Sequence, residues 1–226
     1  MIDRITEDVR TARETDPAAR STAEVLLYAG LHAVWLYRIA HWLWERDFRF
    51  TARLLSQITR FLTGVEIHPA ADLGRRVFID HGMGVVVGET AEIGDDVNMY
   101  HGVTLGGDDP RPVKRHPTVE DGATLGANST VVGDIVVGEG ATVGAGAVVV
   151  ESVPSGATVV GNPAKRVDRE AEAGPEAGES VAANEDALET PTDADAAAAN
   201  GGQSKTGDAA VDDETATRPC CDATAP

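Results

Sequence analysis

The sequence has few cysteines and few aromatic residues, and each shortage excludes a class of protein. Its 226 residues include only two cysteines, Cys220 and Cys221. Two adjacent thiols cannot cross-link a core, and they supply too few ligands for a structural zinc site, so a disulfide-rich or zinc-built fold is excluded. Aromatic residues make up 4% of the chain, whereas glycine occurs 24 times. This composition disfavours a layered α/β core and favours a repetitive, turn-rich structure.

Positive charge is also scarce. The 3 lysines and 16 arginines face 37 acidic residues, which gives a net charge of −18. Nucleic-acid binding needs clustered lysine and arginine, so a nucleic-acid partner is excluded. Much of the acid lies in residues 168–226, which hold 15 acidic and 3 basic residues. This segment lacks apolar periodicity, and its composition predicts a disordered acidic tail.

No long hydrophobic run interrupts the chain. The most apolar stretch, residues 25–44, contains His32, Arg38 and His41. This pattern predicts a buried helix and no membrane partner, because a bilayer span needs about 20 residues almost free of charge. The first residues carry charge and no apolar run, so no signal peptide is expected. These features and the few cysteines predict a cytoplasmic protein.

Three zones follow from the composition: a helical domain over 1–63, a glycine- and valine-rich domain over 64–167, and the acidic tail over 168–226. In the helical zone, a short helix is predicted to end near Asp16. Ser21, with Glu24 three residues later, predicts a capping box at the start of a long helix. A third helix is predicted over residues 50–62, followed by the stop signal Gly64.

An aliphatic residue recurs at every sixth position of the second zone. A six-residue period fits neither an α-helix nor an alternating strand, and it is typical of a parallel β-helix in which three hexapeptides make each coil. We predict about five coils, with a two-residue slip after Val85 and a longer break after Leu105. The positions in phase are Ile67, Leu73, Ile79, Val85, Ile93, Met99, Leu105, Val119, Leu125, Val131, Val137, Val143 and Val149.

The break after Leu105 predicts a loop. Val119 follows Leu105 by 14 positions where six are expected, so eight extra residues must leave the coil within residues 107–116. A long polar loop that leaves a rigid solenoid is a frequent place for function.

His81 is the leading candidate for a catalytic base. It is followed by Gly82-Met83-Gly84, a segment without a bulky neighbour to shield it. A histidine, with an ordinary pKa of about 6.5, is the usual general base for an alcohol. Such a base needs a carboxylate to fix its tautomer, and spacing alone leaves Glu66, Asp80 and Glu89 as candidates.

Several motifs make residues 64–167 resemble the hexapeptide-repeat domain of the serine acetyltransferases. The matching segments are 66–70 (EIHPA), 79–91 (IDHGMGVVVGETA), 102–107 (GVTLGG), 115–117 (RHP) and 161–165 (GNPAK), with 16–18 (DPA) and 37–44 (YRIAHWLW) in the helical zone. The resemblance implies a mainly β fold, a left-handed parallel β-helix after a small helical domain. It also implies acetyl transfer from acetyl-CoA to L-serine, the first step of cysteine biosynthesis.

The resemblance implies roles for ten residues. His81 is implied as the general base, and Glu66 as the carboxylate paired with it, where the family commonly has Asp. The implied contacts to the serine ammonium are Asp16 and Asp80. Those to its carboxylate are Arg115 and His116. The implied contacts to acetyl-CoA are Gly107, Ala127, Ala145 and Lys165.

The resemblance also implies direct transfer without a covalent enzyme intermediate, without a metal, in a cleft between the subunits of a homotrimer. The helical zone is shorter than in the longer family members, so a dimer of trimers is the alternative and the trimer is the expectation. The sequence ends in Ala-Thr-Ala-Pro where members that dock into O-acetylserine sulfhydrylase end in Ile. We therefore do not expect that docking.

Three other functions stay open. A hexapeptide acetyltransferase for another acceptor, such as homoserine, a sugar or an antibiotic, would share the fold and the base. A carbonic anhydrase on the same fold would hold zinc through His81, His101 and His116, although spacings of 20 and 15 residues lack a close histidine pair. A scaffold without catalysis would bind no CoA.

Overall fold

Four helices precede fifteen short strands in the computed structural model, which describes residues 2–167. The predicted acidic tail and both cysteines lie outside the described residues. The helices are α1 (Ile2–Thr15), α2 (Thr22–Val25), α3 (Ala29–Trp44) and α4 (Arg49–Thr63). The strands are β1 (Glu66–Ile67), β2 (Asp72–Leu73), β3 (Phe78–Ile79), β4 (Val86–Val87), β5 (Glu92–Ile93), β6 (Asn98–Met99), β7 (Thr104–Gly106), β8 (Thr118–Val119), β9 (Thr124–Leu125), β10 (Thr130–Val132), β11 (Val136–Val137), β12 (Thr142–Val143), β13 (Val148–Val149), β14 (Thr158–Val160) and β15 (Lys165–Arg166).

The predicted capping box caps a different helix from the one expected. The Ser21 hydroxyl accepts a hydrogen bond from the Glu24 N–H at 3.2 Å, but the helix that it caps is the four-residue α2. The long helix α3 begins only at Ala29, because Tyr28 adopts an extended backbone (φ −68°, ψ 122°) that breaks the helix. The prediction that Ser21 caps the long helix is therefore wrong, while the end of the last helix at Gly64, in a left-handed conformation, is confirmed.

The strands form three parallel sheets, which are the three sides of a left-handed β-helix. The first sheet has the order β1-β4-β7-β10-β13, the second β11-β8-β5-β2, and the third β15-β14-β12-β9-β6-β3, with only β15 antiparallel. The predicted parallel β-helix is confirmed. Inward residues stack on their equivalents from coil to coil, as in the first sheet, where they are Ile67, Val87, Leu105, Val131 and Val149. These five side chains are buried and form part of one continuous apolar core.

The slip in the repeat lies at a different place from the one predicted. Val87, and not Val85, pairs with Ile67 in the first sheet. Val85 is also buried, but it lies at the preceding inward position, next to the strand. In the third sheet Asp80 and Tyr100 occupy equivalent places, and in the following turn Met83 and His101 do. Tyr100 is followed directly by His101, so the two inserted residues are those at 81 and 82.

The eight-residue loop is confirmed. Leu105 of β7 pairs with Val131 of β10, which is 26 residues later, whereas Val87 and Leu105 are 18 residues apart. The extra residues lie between β7 and β8, where no strand is formed. Below we call residues 107–116 the loop.

The helices pack directly on the first coils. Gly30 of α3 touches the β-helix so closely that a Cβ atom there would lie 2.0 Å from the Ile79 carbonyl oxygen. Arg38, the polar exception on the apolar face of α3, donates to both carboxylate oxygens of the buried Asp8 on α1. The Tyr37 hydroxyl donates to the Ala71 carbonyl in the first coil. These contacts fix the end of α1 and the start of α3 beside the turn that follows β3.

Helix α4 turns small and polar residues toward the protein and apolar residues toward solvent. Its buried residues are Ala52, Ser56, Thr59 and Thr63. Phe50 and Phe61 are 81% and 87% exposed. This outer face is an apolar surface that one chain leaves uncovered. Within residues 2–167, no helix is long and apolar enough to cross a membrane.

Candidate active site

The two inserted residues form a corner of the β-helix that presents His81. The backbone of His81 is left-handed (φ 61°), and Gly82 follows with φ 74°. The side chain of His81 is 74% exposed, and its Nε2 lies 3.8 Å from Oδ2 of Asp80. The His101 ring, one coil away, lies with its centroid 5.9 Å from that of His81. The insertion therefore pushes one histidine out of the coil, beside a carboxylate.

Asp16 and Tyr28 lie at the same corner. One Asp16 carboxylate oxygen accepts from the Ala18 N–H at 2.7 Å, and the other accepts from the Tyr28 hydroxyl at 2.5 Å. The Tyr28 hydrogen bond, with a smaller contribution from the charge of His81, lowers the pKa of Asp16. The same bond raises the pKa of Tyr28 to about 12. Sequence reasoning missed Tyr28, because its only signal is the break between α2 and α3.

Arg115 defines a second corner, which follows the strands of the first sheet. Its Nη2 donates to Oε2 of Glu89 at 3.0 Å, and its Nη1 donates to the Asp109 carbonyl at 3.1 Å. Its Nε is buried and has no hydrogen-bond partner in the described part of the chain. The guanidinium is thus held in place while one of its donors is left unused.

His116 is the buried neighbour of Arg115, with a relative exposure of 7%. Its Nδ1 lies 3.2 Å from the Thr90 backbone nitrogen and 2.9 Å from the Thr90 hydroxyl oxygen. Its ring lies against Gly88, where a Cβ atom would come within 1.9 Å of His116 Cδ2. Burial, and secondarily the charge of Arg115, lowers the pKa of His116. The imidazole is therefore kept neutral near pH 7.

Glu66 does not reach His81 within one chain. Its carboxylate is 22% exposed and lies 3.1 Å from Nη1 of Arg60 and 3.9 Å from Nη2 of Arg53, both on α4. The described residues show no contact between Glu66 and His81. The predicted pairing of the two stays a prediction that one copy of the chain does not test.

The two corners lie on opposite sides of the first sheet. The His81 corner precedes β4, and Glu89 and Thr90 follow β4 at the other corner, which also receives His116. His81 and His101 are therefore together, and His116 is apart from them. Among residues 2–167, no three His, Cys, Asp or Glu side chains are grouped as a metal site would need. The zinc alternative finds no preformed site in a single chain.

The residues implied to bind acetyl-CoA divide between the same places. Ala127 and Ala145 occupy the turn positions equivalent to His101 in the next two coils, on the side of His81. Gly107 lies against Arg115 and His116, since a Cβ atom there would be 3.1 Å from each side chain. Lys165 is exposed on β15 and lines a groove of about 520 Å³ at the end of the β-helix.

Comparison with known proteins agrees with the fold and then narrows the class. The coiled parallel sheets and the loop define a hexapeptide-repeat transferase, and the family model described as "Bacterial transferase hexapeptide (six repeats)" matches residues 116–150. The chain belongs to the serine acetyltransferase family. It is 56% identical over 162 residues to the serine acetyltransferase of Bacillus subtilis (strain 168), a match that covers 71% of this chain and 75% of the relative.

Two solved structures are similar to this chain over its described part. One is a serine acetyltransferase from Brucella abortus strain S19 in complex with coenzyme A, with 38% identity and a TM-score of 0.72 over 74% of this chain and 67% of that one. The other is a soybean serine acetyltransferase complexed with serine, with 46% identity and a TM-score of 0.71 over 73% of this chain and 68% of that one.

Proposed function

We propose that this enzyme transfers the acetyl group of acetyl-CoA directly to the hydroxyl of L-serine, with His81 as the general base. As the serine oxygen attacks the thioester carbonyl, its proton passes to His81, and the C–S bond breaks to release CoA. General-base catalysis of this kind contributes about 10²- to 10⁴-fold. The observation that carries the proposal is the exposed His81 side chain at a corner that also holds Asp16 and Asp80.

The charges at the two corners suit an amino acid. Asp16 and Asp80 would bind the ammonium group of serine, and the hydrogen bond from Tyr28 keeps Asp16 ionised and oriented. Arg115 would bind the carboxylate, because a guanidinium offers paired donors to two carboxylate oxygens. His116 would add a further contact. A sugar acceptor carries neither charge, so it would leave both groups without a partner.

Acetyl-CoA would lie along the β-helix. Ala127, Ala145 and Gly107 are small residues in turns, where the chain approaches a ligand closely, and they would contact the pantetheine arm through backbone groups. Lys165, exposed beside the terminal groove, would meet a CoA phosphate as a point charge. The Brucella abortus relative in complex with coenzyme A supports this assignment. No metal is part of the proposal.

The active site would be shared between copies of the chain. One chain places the base and the carboxylate-binding residues at separate corners, so a complete site needs the His81 corner of one copy beside the Arg115 corner of another. Three copies of a three-sided prism can close such a ring, with the apolar outer face of α4 near the contact. We therefore propose a homotrimer, in which Glu66 of a neighbouring environment orients His81. A cytoplasmic location is part of the same proposal.

The first experiment measures CoA release from acetyl-CoA with L-serine, L-homoserine and a sugar in parallel. We expect release with L-serine and little with the others. Release only with homoserine or the sugar would keep the fold and the base, and it would overturn the roles of Asp16, Asp80 and Arg115. The absence of both release and CoA binding would favour the scaffold alternative.

Mixed oligomers test the shared site. His81→Ala and Arg115→Ala should each be inactive alone. If the site is shared, random mixing by co-expression should restore about one quarter of the wild-type activity per site, because one interface in four combines two intact corners. Restoration near zero, with mixed oligomers verified by two affinity tags, would place the whole site within one copy.

A further inference from the structure

Thr90 uses all of its polar groups on the last three residues of the loop. Its hydroxyl oxygen lies 3.1 Å from the Arg115 N and 3.2 Å from the His116 N, both of which donate to it. Its carbonyl accepts from Nζ of Lys114 at 2.8 Å. Its N–H and its hydroxyl both face Nδ1 of His116. Thr90 therefore fastens the loop to the coil and contacts the imidazole twice.

These contacts determine which nitrogen of His116 carries the proton. A backbone N–H can only donate, so Nδ1 of His116 must be the acceptor in the 3.2 Å contact with Thr90. The Thr90 hydroxyl oxygen already accepts from two N–H groups, and its own hydrogen is directed to Nδ1. A proton on Nδ1 would face a donor and displace another. In a neutral imidazole the remaining proton must lie on Nε2.

The surroundings of the ring favour the neutral form. His116 is buried, and its neighbours Arg115 and Lys114 are cations that oppose a further positive charge. Glu89 and Asp108 act in the other direction, but Glu89 is paired with Arg115. His68, from the adjacent coil, is itself kept neutral by burial. The Nε2 side of the ring faces Gly88 and Gly107, which carry no side chains to occupy it.

We propose that Thr90 is a positioning residue that fixes His116 as the neutral Nε2–H tautomer, so that His116 donates a hydrogen bond from Nε2 to the carboxylate of the bound amino acid. The donor role rests on the function proposed above, whereas the tautomer does not. His116 so held is a fixed donor and not a second base, since its acceptor nitrogen is already occupied by Thr90. Proton removal is thereby left to His81.

The tautomer is tested first, in the wild-type enzyme without substrate. Long-range ¹H–¹⁵N spectra of the full chain labelled with ¹⁵N-histidine distinguish a protonated nitrogen from an unprotonated one, and His116→Asn assigns the signals. We expect an unprotonated Nδ1 and a protonated Nε2 at pH 7. An Nδ1–H tautomer, or a charged ring at that pH, would overturn the inference whatever the enzyme acetylates.

A matched pair of variants then tests Thr90 itself. Thr90→Ser keeps the hydroxyl, and we expect its KM for L-serine and its His116 spectrum to stay within about twofold of wild type. Thr90→Val keeps the shape but loses the hydroxyl. We expect its KM for L-serine to rise about tenfold, with a smaller change in kcat and in the KM for acetyl-CoA, and its His116 ring to show mixed tautomers.

The outcomes separate the two claims. Thr90→Val also removes the acceptor for two backbone N–H groups, so its folding is checked by its thermal midpoint; if it does not fold, the Thr90→Ser rescue and the wild-type tautomer still decide. A folded Thr90→Val with an unchanged tautomer shows that the backbone alone fixes His116 and contradicts the role of the side chain. A changed tautomer without any change in the KM for L-serine contradicts the donor role. If L-serine is not the acceptor, the spectra still stand.

Discussion

The two corners beside the first sheet are built in opposite ways. The His81 corner is an insertion with left-handed backbone, and it leaves its histidine 74% exposed with one carboxylate at 3.8 Å. At the Arg115 corner, the loop is fastened by Thr90, and the histidine is 7% exposed. The first corner leaves a reactive group free to exchange protons, while the second holds its groups in one arrangement. Preorganised binding beside an accessible base is a division of labour that costs little reorganisation during reaction.

The largest expected effect is on the exposed corner. His81→Ala should lower kcat about 10²- to 10⁴-fold, because it removes the proposed general base. Its thermal midpoint and oligomeric state should stay unchanged, since so exposed a side chain contributes little to stability. Steady-state CoA release and calorimetry check both parts. His32→Ala, at another exposed histidine, is the control. Turnover equal to wild type in His81→Ala would remove His81 from the mechanism.

The buried corner should respond in the reverse manner, with stability and binding affected together. At Gly88 an added Cβ would collide with the His116 ring at 1.9 Å. We expect Gly88→Ala to destabilise the protein by about 1–3 kcal/mol and to raise the KM for L-serine. Gly106→Ala is the matched control, because a Cβ there meets only side-chain methyl groups, at 3.6 and 3.7 Å. Equal stability of the two variants would show that His116 is not packed on Gly88.

The same burial should make the second corner sensitive to acid. Burial, and then the charge of Arg53, lowers the pKa of His68 to about 4. The unfolded chain, with a pKa of about 6.5, takes up that proton first, so the contribution to stability is complete above pH 6.5 and is lost as the pH falls toward 4. Between pH 7.5 and 5, His68 should account for a loss of about 2 kcal/mol. Urea unfolding at both pH values tests this, and His68→Asn should show a smaller loss.

The smallest expected effect lies between the corners, in the core. Ser129 is fully buried at an inward position among apolar residues, and its hydroxyl has no hydrogen-bond partner within residues 2–167. Because a buried hydroxyl without a partner is unfavourable, Ser129→Ala should raise the free energy of unfolding by about 1 kcal/mol. Activity should not change. A destabilised Ser129→Ala would indicate that the hydroxyl has a partner, such as an ordered water.

The periodic part of the fold could be predicted, because each inward residue repeats one requirement: an apolar side chain that stacks on the next coil. That regularity also located the loop after Leu105. It placed the slip after Val85 and not at His81, since Val85 is itself buried and apolar and mimics a strand position. The assignment of Ser21 to the long helix failed for a related reason, because the break depends on the bond of Tyr28 to the distant Asp16.

The candidate site was predictable only where a motif was local. His81 stands out by its neighbours in sequence, and the loop carries Arg115 and His116. Thr90 does not stand out, because its partners lie about 25 residues further along the chain and meet it only when one coil stacks on the next. Glu66 pairs with arginines of α4 within one chain, so its partner in the assembled site cannot be read from a single copy or from spacing.

The insertion of His81 and Gly82 separates chemistry from architecture. The strands before and after it keep their pairing, since Ile79 still aligns with Met99 and Val87 with Leu105. A repetitive scaffold can therefore acquire, lengthen or lose this two-residue segment without renegotiating its core. Removing it should return the coil to the length of its regular neighbours and leave a foldable but inert prism. In evolutionary terms, the reactive histidine is an ornament on a repeat that does not need it.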